Sequence, residues 1–365
     1  MLKSELDTPA LILDLDLFEQ NLAKMRDFAA SCGKKLRPHA KTHKCPEIAK
    51  RQLEAGNCAG ICAAKLSEAE ALAAAGIGDI LITSPVVAQN KILRLAALND
   101  AIPNLQITVD SVYQVELLAD AFRSRKPLHV LIDVDPEMGR TGVPFDKAVE
   151  FGEVISRFPQ LVLDGVQCYA GHLQHIASAA ERNAESTRLM QKGVEVFRRL
   201  AEKYPTCKIY TGTGTGTSAA DVLIPELTDI QVGSYCMMDS EYLAVEHSGP
   251  AYAPALTLLS SVISANHCGS ATIDAGTKSV YVTPGAPAQV IRNGIIDSNF
   301  IYSWDFGDEH GHLTFPAETT LKPGDLVEMI VSHCDPTVNL FDEINVVRNG
   351  NVIDRWKISL RGCCR

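Results

Sequence analysis

The sequence predicts a (β/α)8 barrel followed by a mostly antiparallel β domain, and three features point to it. From residue 34 to about residue 245, eight short β-rich runs alternate with helical patterns. Near residue 250 the helices stop, and strands joined by turns take over. A Gly-Thr-rich turn, "TGTGTGTSAAD" at 211–221, follows the seventh candidate strand. Such barrels carry phosphate sites late in the chain, whereas a doubly wound open sheet places its phosphate turn after the first strand.

The candidate barrel strands, in order, are "KLRPHAK", "GICAA", "DILIT", "LQITVD", "LHVLIDVD", "LVLDGVQCYA", "KIYTGT" and "DIQVGSYCM". Between them lie "CPEIAKRQLEAG", "KLSEAEALAAAGI", "VAQNKILRLAALN", "SVYQVELLADAFRSR", "FDKAVEFGEVISRF" and the long "SAAERNAESTRLMQKGVEVFRRLAEKY". Each has apolar residues three or four apart, the period of an amphipathic helix. After "TGTGTGT" there is room only for a short helix. The last third offers "ALTLLSSVISANH", "SATIDAG", "SVYVT", "AQVIRNGIID", "FIYSWDF", "DLVEMIVSHCD" and "NVVRNGNVIDRWKISLRG" as strands. Its "RNGN" is a hairpin signal, because Asn-Gly tolerates the positive φ values of a type I′ turn. The expected domains are a barrel over 15–248 and a β domain over 249–365, with "PALILDLD" near the start free to join either.

Composition sets the outer bounds. The 365 residues are 46% hydrophobic and 21% charged, enough for one large domain or two ordinary ones. A formal net charge of −10 argues against general nucleic-acid binding, which needs a basic face for phosphate. No apolar run approaches the ~20 residues of a membrane span. The eleven cysteines are scattered, without zinc-finger spacing, and the amino terminus shows no apolar signal segment. The expectation is a soluble, cytoplasmic enzyme with reduced thiols.

Four places could carry chemistry. If "LRPHAK" is extended, Arg37, His39 and Lys41 share a face, and Pro46 suits the first turn of the next helix. Lys41 then stands at the carboxyl end of the first barrel strand, the catalytic end of this architecture. Apolar or cationic neighbours there would lower its pKa and free the amine as a nucleophile; the alternative is a loop of solvated charges. The glycines and threonines of 211–221 suit a phosphate cradle, or else a flexible turn. "VSHCDPTVN" holds His333 and Asp335 two apart at a strand end, where an extended chain would point both at one divalent cation or at each other. Arg140, in "DVDPEMGRTGV", and Tyr169, in "QCYAG", could hold an anionic group and a flat ring, or simply pack. "GHLQH" and "DEHGH" have surface or hydrogen-bonding roles as their default.

Taken together, "RPHAKTHKCPEIA", "GICAAKLSEAEALAAAGIGDILITSPVV", "DVDPEMGRTGV", "YAGHLQH", "GTGTGT", "QVGSYCMMD", "DAGTKSV" and "SHCDPTVN" resemble the D-threonine aldolase and D-serine dehydratase branch of pyridoxal-phosphate enzymes. These share the alanine-racemase fold, and the resemblance covers nearly the whole chain. It implies that Lys41 holds pyridoxal 5′-phosphate and that Arg140 meets the cofactor's phenolic oxygen. Tyr169 takes the ring-flanking place, and Thr213, Gly214, Thr215, Gly233 and Ser234 the phosphate cradle. Gln231 takes the position where alanine racemases carry an arginine facing the pyridine nitrogen. His333 and Asp335 match the aldolases' metal pair, whereas the dehydratases place a cysteine where Asp335 stands. A carboxylate with an imidazole suits Mn2+ or Mg2+, with Zn2+ and Co2+ as alternatives. The resemblance thus implies retro-aldol cleavage of a D-β-hydroxy-α-amino acid to glycine and an aldehyde, with Lys41 and His333 as catalytic residues. The same parts acting as a dehydratase would give a 2-oxo acid and ammonia. A non-catalytic pyridoxal-phosphate carrier is a third reading, disfavoured by the β domain and the His-x-Asp pair. Related enzymes pair two chains, so a homodimer is expected.

Overall fold

In the computed structural model, which describes all residues from Met1 to Arg365, the chain opens with β1 (Ala10–Asp14) and α1 (Leu15–Ser31). Asp14 ends the strand and caps the helix, its carboxylate accepting the Leu17 amide at 3.0 Å. Leu15, Phe18, Leu22, Met25 and Ala29 form the buried stripe of α1. The elements read from the sequence begin at residue 34 and omit this helix, although its apolar spacing is as clear as that of the others.

The parallel sheet comprises β2 (Lys35–Leu36), β3 (Ile61–Ala63), β4 (Asp79–Ile82), β5 (Asn104–Val109), β6 (Leu128–Val134), β7 (Leu161–Cys168), β8 (Ile209–Gly212) and β9 (Asp229–Ile230). Its order is β2-β9-β8-β7-β6-β5-β4-β3. Bridges from Leu36 to Cys58 and from His39 to Cys62 join the two ends. The Ala40 amide donates to the Cys62 carbonyl at 2.9 Å, and the Cys62 amide to the Pro38 carbonyl at 2.8 Å. The eight strands thus close into the expected barrel.

Around it run α2 (Pro46–Glu54), α3 (Leu66–Ala74), α4 (Gln89–Ala101), α5 (Val112–Ala121), α6 (Ala148–Ile155), α7 (Ala179–Lys203), α8 (Ser218–Asp221) and α9 (Ser240–Leu243). Pro46 is at the start of α2, where its missing amide hydrogen costs nothing. One expectation is corrected here. "KLRPHAK" is a regular strand only to Leu36, since Pro38 offers no ladder donor, and Lys41 lies in a turn beyond it.

The second sheet adds β10 (Leu256–His267), β11 (Ser270–Ile273), β12 (Gln289–Arg292), β13 (Ile295–Ser303), β14 (Gly311–Thr314), β15 (Leu326–Ile330), β16 (Glu343–Arg348) and β17 (Asn351–Lys357). Its order is β11-β14-β13-β12-β15-β10-β1-β16-β17, so the amino-terminal strand lies inside it. β1 runs antiparallel to β10 and parallel to β16. Asn349 and Gly350 turn the β16–β17 hairpin with φ of 51° and 75°, the I′ geometry read from "RNGN". "SVYVT" is not a strand: Ser279 and Val280 donate back to the Gly276 carbonyl, so the backbone is satisfied in a local turn. β14 was not anticipated. The short helix α10 (Cys334–Val338) follows β15. A continuous apolar core runs from the barrel through Met237 and Met238 to Leu256, Met329 and Val331 of the second sheet, fixing the two against each other. No helix is long and apolar enough to cross a membrane.

Candidate active site

The ends of the barrel strands surround a cavity of about 530 Å³, lined among others by His39, Lys41, Thr42, Arg140, Tyr169 and Gln231. That volume is in the range of small-molecule sites. The turn after β2 brings Lys41 to its wall. Lys44, three residues on, is not an alternative amine: it is buried and donates to Glu68 at 2.5 Å. Glu68 also accepts the Ala64 and Lys65 amides, so the pair braces the start of α3.

Lys41 forms an ion pair with Oδ2 of Asp335, which comes from the second sheet's side of the molecule. Burial works to lower the Lys41 pKa, but Asp335, Tyr169 and Glu68 outweigh it and carry the amine above the ordinary lysine value. The lowered pKa expected from the sequence is therefore reversed. A carboxylate nearly three hundred positions away had no signature in the local stretch. Burial pushes the Asp335 carboxyl up, yet Lys41 and His333 hold it down at about 2.

His333 and Asp335 converge, but not as residues of an extended strand. β15 ends at Ile330; His333 is the residue before α10, and Asp335 is in the first turn of that helix. The helix start brings Nε2 of His333 to 3.9 Å from Oδ1 of Asp335. That Oδ1 is buried and has no hydrogen-bond partner. Nδ1 of His333 is 2.9 Å from Oδ2 of Asp239, which places a proton on Nδ1. Burial opposes the imidazolium, but Asp239, Asp335 and Glu241 outweigh it and raise the ring's pKa, so Nε2 offers its lone pair in the neutral ring. A bare carboxylate oxygen and a bare imidazole nitrogen facing each other are a donor set that suits a divalent cation. There is no group of three or more His, Cys, Asp or Glu side chains that could hold an ion, so these two leave most of a coordination shell open. Neither lines the main cavity; Asp335 is joined to it through its ion pair with Lys41, which does. Cys334 turns inward and donates to the Met238 carbonyl at 3.1 Å.

The Gly-Thr-rich turn follows β8. Gly214, Thr215, Gly233 and Ser234 line the cavity, whereas Thr213 does not. Thr213 is buried, with φ of 76°, a strained value for a β-branched residue. The amides of Thr215 and Gly233 have no acceptor within the protein. The Thr42 hydroxyl is buried and likewise unpartnered. These idle donors around a glycine-lined recess fit a phosphate, and the cavity they share with Lys41 has room for a pyridine ring. Arg140 places its guanidinium 5.3 Å from the centre of the Tyr169 ring, both at the cavity wall.

Gln231 belongs to an oriented chain of amides. Gln167 donates to Asp133 at 2.9 Å and to the Thr83 carbonyl at 3.2 Å, so its amide oxygen must face Gln231. Gln231 donates to that oxygen at 3.1 Å and to Thr211 at 3.2 Å, leaving its own amide oxygen uncommitted. Burial raises the Asp133 carboxyl to about 6.

Sequence reasoning missed Asp239, Glu241 and the nearness of His175 to the His333–Asp335 pair. Nε2 of His175 and Nδ1 of His333 each lie 3.4 Å from Oε2 of Glu241. "MMDSEYL" carried a helix-cap signal at Asp239, which does accept the Tyr242 amide, but nothing in it pointed to a histidine 94 positions on. His172 and His310 are exposed. His312 bonds Ser270 at 3.0 Å and Asp305 at 3.2 Å, the default role expected of it.

The family model for the N-terminal domain of alanine racemase matches residues 13–241, and that of the serine dehydratase domain matches residues 255–347. The chain is 36% identical to a D-threonine aldolase of Arthrobacter sp, over 99% of this chain and 94% of that protein. It is 34% identical to a 3-hydroxy-D-aspartate aldolase of Paracoccus denitrificans (strain Pd 1222), over 99% of this chain and 93% of that one. The crystal structure of D-threonine aldolase from Filomicrobium marinum superposes with a TM-score of 0.94 at 34% identity, covering 100% of this chain and 99% of the other.

Proposed function

Because the chain belongs to the pyridoxal-phosphate family that unites D-threonine aldolases and D-serine dehydratases on the alanine-racemase fold, we propose that Lys41, His333 and Asp335 carry its chemistry: cleavage of D-β-hydroxy-α-amino acids to glycine and an aldehyde. It is a lyase of the aldolase kind. The observation that carries the assignment of residues is the pairing of Lys41 with Asp335, whose second oxygen stays bare beside His333.

Lys41 is the amine that would hold the cofactor, Arg140 would meet its phenolic oxygen, Tyr169 would flank its ring and Gln231 would face its nitrogen. Gly214, Thr215, Gly233 and Ser234 cradle the phosphate, and Thr213 shapes the turn. Bound there, pyridoxal phosphate supplies an electron-accepting ring for the pair released when a Cα–Cβ bond breaks. Nε2 of His333 and Oδ1 of Asp335 would hold a divalent cation, with Mn2+ or Mg2+ the best chemical match, and such a cation would supply Lewis acidity at a β-hydroxyl. Asp335 keeps the Lys41 amine protonated until the site is filled, and Asp239 holds the proton of His333 on Nδ1, so that only Nε2 faces the substrate. A carboxylate at position 335, where the dehydratases of the resemblance carry a thiol, favours the hard oxygen-binding ion of an aldolase.

The eleven free cysteines support a reducing, cytoplasmic setting. Exposed Ile295 and Ile301 of β13, with Trp304 and Phe306 in the turn after it, support a homodimer. Incubation with D-threonine tests the reaction: glycine and acetaldehyde are expected, and 2-oxobutanoate with ammonia would show a dehydratase instead.

A further inference from the structure

The phosphate recess offers no cationic side chain among its lining residues Gly214, Thr215, Gly233 and Ser234. A cation lies directly behind it. Arg182, near the start of α7, is only 1% exposed. Its Nε donates to the Gly216 carbonyl at 2.8 Å, and its two terminal nitrogens donate to the carbonyls of Ile176 and Glu246. All three partners are neutral backbone groups, and no carboxylate forms a close ion pair with the guanidinium; burial outweighs the pull of the Glu246 carboxylate and lowers the guanidinium's pKa. The Glu246 carboxylate accepts the Ala179 amide at 2.9 Å and gives the guanidinium only partial compensation from a distance. Arg182 and Thr215 share a small recess with Tyr242, and Thr215 and Tyr242 also line the main cavity.

A buried charge without a counter-ion is costly unless something else balances it. We propose that Arg182 is a positioning residue for the cofactor's phosphate: its fork fixes the Gly216 carbonyl behind the turn, and its charge is balanced by the phosphate dianion docking in front. This rests on the reading of the turn as a phosphate cradle. The geometry adds a second effect. A planar trans peptide points its carbonyl and the next amide in opposite directions. With the Gly216 carbonyl drawn to Arg182, the Thr217 amide is aimed away from it, and that amide has no acceptor in the protein. Only a guanidinium can hold three carbonyls in one plane, so lysine is a partial substitute at best.

The test compares pyridoxal phosphate with pyridoxal, which lacks the phosphate, by absorbance titration of the full chain freed of cofactor. Arg182→Gln is expected to weaken pyridoxal phosphate about ten- to a hundredfold while changing pyridoxal less than about twofold. Arg182→Lys is expected to fall between it and the parent, and serves alone if the glutamine variant does not fold. An equal loss for both ligands would reduce Arg182 to a packing role and overturn the proposal, as would unchanged binding of both. If the parent protein itself binds pyridoxal as tightly as pyridoxal phosphate, the cradle reading fails before any variant is compared.

Discussion

The carboxylate of Asp239 accepts hydrogen bonds from Nδ1 of His333 and from the Cys334 amide, each at 2.9 Å through the same oxygen. Its other oxygen accepts the Tyr242 amide at 3.1 Å. One buried carboxylate thus caps α9, anchors the start of α10 and sets the tautomer of the histidine between them.

Asp239→Asn keeps an oxygen for one amide but can offer His333 a donor in place of an acceptor. Metal affinity is expected to fall about ten- to a hundredfold, with turnover following it. Titrating the stripped protein with Mn2+ measures the affinity. Stringent chelation of the parent should silence turnover while the bound cofactor's absorbance persists; full activity without metal would remove the cation from the reaction.

Lys41→Ala should abolish the visible absorbance of lysine-linked cofactor. Its side chain is 40% exposed, so the variant is expected to fold. Removing it also leaves Asp335 without its ion-pair partner, which weakens the force holding that carboxyl near 2. Persistence of the lysine-linked colour would assign the anchor to another amine, though Lys44 is committed to Glu68.

Asp221 gives a pH signature. It is fully buried, burial raises its carboxyl to about 6, and the hydroxyls of Ser186 and Thr217 donate to it at 2.6 and 2.7 Å. Its folded value lies above the unfolded one near 4, so the folded state binds the proton more tightly. Stability from this group is therefore lost as pH rises through roughly 4 to 6, to the extent of about 3 kcal/mol. Denaturant unfolding of Asp221→Asn should lack that decline, and the difference between parent and variant should be flat above pH 7.

Gly212 ends β8, where an added Cβ would run into the backbone carbonyl of Cys168. Backbone cannot move aside as a side chain does, so Gly212→Ala should cost about 3 kcal/mol. The turn that follows would shift with it. A lowered melting temperature together with weaker binding of pyridoxal phosphate is the expected pair of results.

The barrel was legible because its helices carry strong apolar periods and its strands are bounded by turn residues, as in "LHVLIDVDPEMG". Strand ends were less so. Pro38 stops the ladder early, and whether Lys41 is in a strand or a turn depends on a bridge to Cys62 that no local pattern encodes. The pairing of His333 with Asp335 was found from their spacing, but for a reason that the structure replaces: α10, not an extended strand, brings them together. The electrostatics of the site were not legible. Asp335 against Lys41, Asp239 behind His333 and the amide chain ending at Gln231 each join residues from separate elements, and only the closed barrel and its docked sheet bring them within reach.

The position of β1 constrains how the protein can be made. This strand leaves the ribosome long before its neighbours β10 and β16, which begin at Leu256 and Glu343. At ordinary translation speeds it waits on the order of ten seconds or more for a partner. Throughout that interval an apolar run, "ALILD", must be shielded by the growing barrel or by a chaperone. Splitting the gene between the two domains would leave one product without an interior strand and the other with an orphaned one.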